Sequence, residues 1–218
     1  MKKIKIKPLE APKMTASESG DRASPTSGEA KADGRADRSR ATRKQIVQAL
    51  TALVYEGHLA PTAQQVAKRA GIGLRTVFRH FEDMDSLYRE ISTNLDALMQ
   101  PVLLQRLSAP TWQERLLESI DHRADLFDRM AAMHVAAQAH RHESAYLAGN
   151  LMDVARLQRE LLMRLLPPAQ AKNALLLDAL DVMMSIEAWI RLRREQGLAS
   201  DQAREVVRLG VRALLGNA

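Results

Sequence analysis

The chain has 218 residues, no cysteine, 46% apolar residues and a formal net charge of +6. That suits one domain or two small ones with a buried core, and it excludes disulfides, thiolate metal sites and cysteine nucleophiles. No apolar run approaches the ~20 residues that a membrane-spanning helix needs.

Residues 1–37 are rich in Ser, Gly, Pro and Ala and almost free of large apolar side chains after Leu9. They cannot bury enough surface to offset ordering entropy, so the segment reads as a disordered tail. Lys2, Lys3, Lys5 and Lys7 suit either an arm on DNA or a merely solvated tail, the latter being favoured. MKKIKIKPLE lacks a long apolar core and a small-residue cleavage site, so a signal peptide is not expected and a cytoplasmic location is.

From about Arg38 to Glu56, Ile46, Ala49, Leu50, Leu53 and Val54 recur at helical steps and Gly57 ends the run. The early turns carry Arg43 and Lys44, which can rest on phosphates. The next stretch, Thr62 to Phe81, reads TAQQVAKRAGIGLRTVFRHF. Thr62 caps a short helix whose apolar stripe is Val66, Ala67 and Ala70. Gly71 suits a left-handed helix end, and Ile72 plugs the turn. A second helix runs from about Leu74 to Phe81, with Val77, Phe78 and Phe81 inward and Arg75, Arg79 and His80 outward. A small residue at the crossing, glycine in the turn and a cationic second helix describe a helix-turn-helix over 62–81. Residues 38–82 hold eight Lys/Arg against two Asp/Glu, whereas 83–218 hold sixteen against eighteen. The basic surplus therefore lies on the segment shaped to meet a polyanion.

Asp83 caps a linking helix over 83–100, through Leu87, Ile91, Leu95 and Leu98 to near Pro101. Thr111 and Glu114 match a capping box, followed by Leu116, Leu117, Ile120, Ala124 and Phe127 as an apolar face. A separate helix over Ala131–Arg141 and another over about Ser144–Leu166 come next. One further helix spans Ala169–Gln196 with two interleaved stripes, Leu175, Ala179, Val182, Ile186 and Trp189 against Leu176, Leu180, Met183 and Ile190. A last helix, capped by Ser200 or Asp201, carries Val207, Val211 and Leu214. Helices apolar over so wide an arc need cover on two sides, which a two-fold pairing supplies. Val182, Ile186, Trp189, Val207, Val211 and Leu214 are the expected dimer residues. Leu116, Ile120, Phe127, Met152 and Met183 are the candidates for an effector pocket, although methionines serve equally as core fill.

The run VAKRAGIGLRTVFRHFEDMDSLYREI, Val66 to Ile91, resembles the TetR-type (tetracycline-repressor-like) family of bacterial transcriptional regulators, with specific similarity over roughly 38–98. The resemblance implies an all-α fold of about nine helices: a three-helix head over 38–82, the linking helix, and an effector-binding and dimerisation body over 101–218. It implies a homodimer on double-stranded DNA, at a palindromic operator, released by a small-molecule effector. Arg75 and Arg79 are the base-reading candidates, because guanidinium forks suit guanine O6 and N7. The family also implies that Thr62 and His80 meet phosphate; Thr76 suits a thymine methyl or a phosphate, and Leu74 a thymine methyl. Three residues depart from the pattern. Gly73 stands where Ser is common, Phe78 where Tyr is usual and Met84 where Lys is frequent, so three phosphate or capping groups are missing.

His122, His134, His140 and His142 lack the spacing that sets two metal ligands on one helical face, and read as surface or supporting histidines. No metal, cofactor or enzyme activity is expected. Arg204, Arg208 and Arg212 read as a solvated strip paired along their own helix. The function expected is a DNA-binding regulator, a repressor released by its effector; the alternative is an architectural DNA binder with no effector.

Overall fold

The computed structural model describes residues 27–103 and 106–216. The expected all-α class holds: among the described residues there is no strand and there are ten helices, of which Pro168–Ala171 is a single turn. Lys2, Lys3, Lys5 and Lys7 lie outside the described residues, as do the side chains of Leu95 and Leu98.

Helix α1 covers Ser27–Tyr55, so it takes in part of the segment read as tail rather than only residues from about Arg38. Extending a helix that is already nucleated adds one hydrogen bond per residue fixed, so Ala, Glu, Lys and Arg continue it by propensity. Its C-terminal half buries Ile46, Val47, Leu50, Leu53 and Val54. Gly57, at φ 100°, turns the chain out of it. Helices α2 (Ala63–Ala70) and α3 (Leu74–His80) pack beneath it through Val66, Ala67, Ala70 and Val77, with Phe81 just beyond α3. Helix α4 covers Met84–Leu103. It opens on Asp83, whose carboxylate accepts from the Ser86 N–H at 2.7 Å. It continues through Pro101, where one missing backbone donor costs only one bond.

The head does not close on itself. Its core continues into Met133, Ala136 and Leu147 of the next two helices, so α4 is flanked by head and body alike.

Helix α5 is one element, Trp112–His140, rather than two. Thr111 and Glu114 form the expected capping box at its start. No glycine or proline interrupts it, and the apparent second helix at Ala131 is a change in which neighbour the helix meets, head after body. Helix α6 (Ala145–Leu165) opens on the hydroxyl of Ser144, and the single turn α7 (Pro168–Ala171) follows. The span read as one helix to Gln196 is broken: α8 is Ala174–Met183 and α9 is Ile186–Ile190. Ser185 causes the break. Its hydroxyl accepts from the Ala188 N–H at 3.1 Å, an N-cap geometry incompatible with mid-helix. A π-turn, Arg191–Glu195, extends α9 to Gly197, which sits at φ 71°. Helix α10 is Ser200–Gly216. Neither Ser200 nor Asp201 caps it as expected: the Gln202 side chain receives the Ala199 N–H, and the Ser200 hydroxyl donates to Asp128 at 3.0 Å.

Asp128 on α5 gathers the C-terminal elements. One carboxylate oxygen accepts from the Trp189 indole at 2.9 Å and from Arg193 at 3.0 Å. That pulls Trp189 inward until it is 2% exposed, and Ile186, Val207 and Val211 are buried in the same body core. Leu214 packs partly buried against it. Five of the six expected dimer residues are therefore turned into their own protomer; Val182 alone faces out. The outward apolar residues of α8 and α10 are Leu175, Val182, Val206 and Leu209. The Ser185 break resets the helical phase, so the stripe that faces out on α8 faces in on α9. Arg204 and Arg208 reach across to α5 as well, Arg204 to Asp121 and Asp125, Arg208 to Asp121. Arg208 keeps the expected pair with Glu205 on its own helix, but both arginines also brace α10 against α5 rather than forming only a solvated strip.

Candidate nucleic-acid interface

The interface is built on a short, heavily pinned turn. The Thr62 hydroxyl accepts from the Gln65 N–H at 3.3 Å, while the Gln65 side chain accepts from the Thr62 N–H at 2.8 Å. Thr62 is thus committed to capping α2, in a capping box the sequence reading saw only half of. Gly71 is left-handed at φ 67° and ψ 29°, and its N–H and that of Ile72 close on Lys68 and Ala67 carbonyls at 3.2 and 3.1 Å. An L side chain in that conformation is strained, which is why glycine ends α2. Gly73 precedes α3 without a capping side chain, as its lack of a hydroxyl implies.

Helix α3 buries Val77 alone. Leu74, Arg75, Phe78 and Arg79 are exposed, with Thr76 and His80 half-buried. Arg75 and Arg79 stand one turn apart and so share a face. Neither forms an ion pair or a side-chain hydrogen bond among the described residues, and both guanidinium groups are open to a ligand. Leu74 and Phe78, likewise one turn apart, form an apolar column beside them.

Phe78 corrects the sequence reading, which placed it in the packing of the head. It is 49% exposed. One helical step is about 100°, and with Val77 directed at the core and Phe81 supplying the aromatic ring, Phe78 is rotated out. The remaining packing residues lie where expected: Ala67, Val77 and Phe81 are buried and Ile72 packs against the same core, which Met84 joins as well.

Arg43 is corrected too. The sequence pattern sets it on phosphate, yet its Nε and Nη2 donate to Glu90 at 2.8 and 2.5 Å and its Nη1 to the His80 carbonyl at 2.6 Å. Its guanidinium also lies over the Phe81 ring, 4.2 Å from the centroid. Arg43 clamps α1, α3 and α4 together, and the distant partner Glu90 left no local signal in the sequence. Lys44 and, on α2, Gln64 and Lys68 are exposed. Arg69 pairs with Glu56 at 2.5 Å. Burial first, then the charges of Arg79 and Arg43, hold the His80 imidazole below its usual 6.5. It is neutral at pH 7 and offers hydrogen bonding rather than charge.

The expected effector pocket is only partly assembled. Ile120, Phe127 and Met183 line a body cavity of about 10 Å³, together with Arg123, Met184 and Trp189. That is room for about one water molecule. Leu116 is buried in the core outside the lining, and Met152 is 65% exposed on the outer surface of α6. Residue type alone points Met152 to a pocket, but its helix turns it to solvent. Arg123, missed from sequence, sits one turn after Ile120 in an otherwise apolar face. Its donors reach the Met184 and Gln158 carbonyls at 3.5 and 3.3 Å, and burial lowers its pKa to about 10. Among the histidines, His134 is buried and lies 3.0 Å from Glu187. Among the described residues no cluster of three or more metal-ligating groups forms, and no helix is long and apolar enough to cross a membrane.

No protein-family model matches the sequence, and no curated protein matches it. Among solved structures, the chain is similar to a TetR-family transcriptional regulator from Haemophilus influenzae, with a TM-score of 0.50 and 16% identity over 80% of this chain and 96% of that one. It also matches a TetR transcriptional regulator from Rhodococcus sp. RHA1 at a TM-score of 0.45 and 19% identity, over 81% of this chain and 98% of that one. The first likeness shows a shared all-α fold across head and body.

Proposed function

We propose that this chain is a DNA-binding transcriptional regulator, a repressor that acts as a homodimer and is released by a small-molecule effector. The observation that carries the reading is the outer face of α3, where Arg75 and Arg79 stand exposed and, among the described residues, unpaired on a helix fixed by a capped turn. Guanidinium forks one turn apart match successive guanine edges in a major groove. Leu74 and Phe78 beside them suit thymine methyl groups, while Lys44 and Lys68 supply charge for phosphate. The likeness in fold to a TetR-family regulator supports the same reading.

Dimerisation is assigned to the outward residues Leu175, Val182, Val206 and Leu209, since α8 and α10 lie against each other with this apolar surface left open. Two recognition helices ~34–36 Å apart then read successive major-groove faces, which makes a palindromic operator the natural target. Release follows if an effector binds better to a body conformation that sets those helices at another separation, through α4.

The deciding experiment is selection of bound fragments from a random DNA pool with the full chain. A palindromic consensus supports the dimeric regulator; the absence of any consensus overturns sequence-specific recognition. One observation favours the second reading, an architectural binder with no effector: the body cavity admits only about one water molecule. A rise in melting temperature with some member of a broad small-molecule library, lost on Met183→Trp, decides against it.

A further inference from the structure

We propose that a cavity between the head and the body is a binding site for a small organic cation, a primary ammonium group on a short carbon chain. The cavity has a volume of about 320 Å³, within the range of small-molecule sites. It lies where three parts of the fold meet: the entry to α2 at Pro61, Asp85 and Tyr88 on α4, and His140 and Glu143 at the turn from α5 to α6. None of this belongs to the face of α3 or to the body cavity around Arg123.

Its wall carries unmet hydrogen-bonding capacity. Tyr88 is 5% exposed and its hydroxyl has no partner among the described residues, and Nε2 of His140 is likewise buried without one. Buried polar atoms are almost always satisfied in folded proteins, so two orphans on one cavity wall call for a partner that the described residues do not supply. The chemistry of that partner follows from the acceptors. Nδ1 of His140 lies 3.3 Å from Glu143 Oε2. An ionised carboxylate can only accept, so Nδ1 carries a proton towards Glu143 and Nε2 is the ring nitrogen left without a partner among the described residues. Burial first, then Asp85 and Glu143, push the Tyr88 phenol up to about 12, so it stays a neutral hydroxyl. The Asp85 carboxylate makes no side-chain hydrogen bond among the described residues, and that of Glu143 meets only His140.

Acceptors and negative charge therefore dominate the cavity, and the neighbouring cations are occupied. The Arg89 guanidinium lies over the Tyr146 ring, 4.2 Å from its centroid, and Arg141 donates to Gln138 and His142. A carboxylate or phosphate would be repelled here, and a lone hydroxyl would donate once. An ammonium donates three hydrogen bonds and neutralises charge, while Met84 and Pro61 offer apolar surface to its methylenes.

Calorimetric titration of the full chain, without DNA, with n-butylammonium chloride, n-butanol and sodium butyrate tests the assignment. Saturable binding of the ammonium is expected, at least about tenfold weaker binding of the alcohol, and none of butyrate. The double variant Asp85→Asn/Glu143→Gln, at two partly or fully exposed positions, is expected to abolish ammonium binding, and Tyr88→Phe to weaken it several-fold. Circular dichroism verifies that both variants fold. Equal affinity for the three probes, unchanged ammonium binding in the double variant, or no saturable binding below about 10 mM overturns the proposal. Because no DNA is present, each of these outcomes is independent of the function proposed for α3.

Discussion

Leu209→Asp is expected to separate the proposed dimer without unfolding the protomer. Leu209 is 69% exposed and Val182 is 70% exposed. They adjoin Gly210 and Met183, which touch so closely that a Cβ at 210 would stand 2.7 Å from the Met183 methyl carbon. Each therefore borders the crossing of α10 and α8. Full burial of a leucine side chain contributes roughly 1.5–3 kcal/mol. With about two-thirds of Leu209 still open in the protomer, covering it stabilises the pair by roughly 1–2 kcal/mol per copy. A two-fold interface counts that twice, so truncation alone costs about 2–4 kcal/mol, or roughly 30- to 1,000-fold in dissociation constant. An aspartate adds the desolvation of an unpaired carboxylate on each side. Within the protomer, the same exposure limits the effect to helix propensity, about 0.5–0.7 kcal/mol. Sedimentation velocity across a concentration series reads the dissociation constant, and thermal melting at low concentration reads the protomer. A dissociation constant unchanged within threefold places the contact elsewhere. A collapse of protomer stability would show that Leu209 is a core residue.

Arg75→Ala and Arg79→Ala should each weaken binding to a selected operator by about 1–3 kcal/mol at fixed salt and relax its base preference, as read by fluorescence anisotropy. Equal losses on operator and random DNA would reduce both residues to phosphate contacts. Arg43→Ala is expected to destabilise the chain by about 1–2 kcal/mol in denaturant titration, because it leaves Glu90 unpaired and Phe81 uncovered. Lys44→Ala should stay within ~0.5 kcal/mol of the parent, with its loss confined to the salt-dependent part of DNA affinity; the reverse ranking would refute the clamp. The hydrogen bond from His134, opposed by burial, holds the Glu187 carboxyl below its ordinary value. A depressed acid stabilises the fold above its unfolded pKa, and that contribution is lost as pH falls from about 4.5 through the folded value. Melting temperatures between pH 7 and 3 should therefore drop less steeply for Glu187→Gln than for the parent, and parallel curves would sink the linkage.

The sequence by itself determined what short-range chemistry controls. Thr62, Thr111 and Ser144 announce helix starts because a side-chain oxygen within three residues meets an orphan N–H. Gly71 announces a left-handed end. The 3.6-residue apolar period makes the chain all-α, and the placement of lysine and arginine gives the head its basic surplus. Tertiary structure decided which way each stripe turns. Phe78 faces solvent because Val77 and Phe81 already fill the head core. Arg43 turns inward because Glu90 stands 47 residues away in sequence and beside it in space. Ile186 and Trp189 look like an outward stripe until Asp128, 61 residues from Trp189, draws the indole in and Ser185 shifts the helical phase. Asp121 claims Arg204 across 83 residues. The junction cavity is of the same kind, since Tyr88 and His140 carry no shared pattern until α4 and the end of α5 are packed together. A cap or a turn is settled by atoms a few bonds apart, whereas the burial of one helical face over another is settled by whichever distant element arrives to cover it.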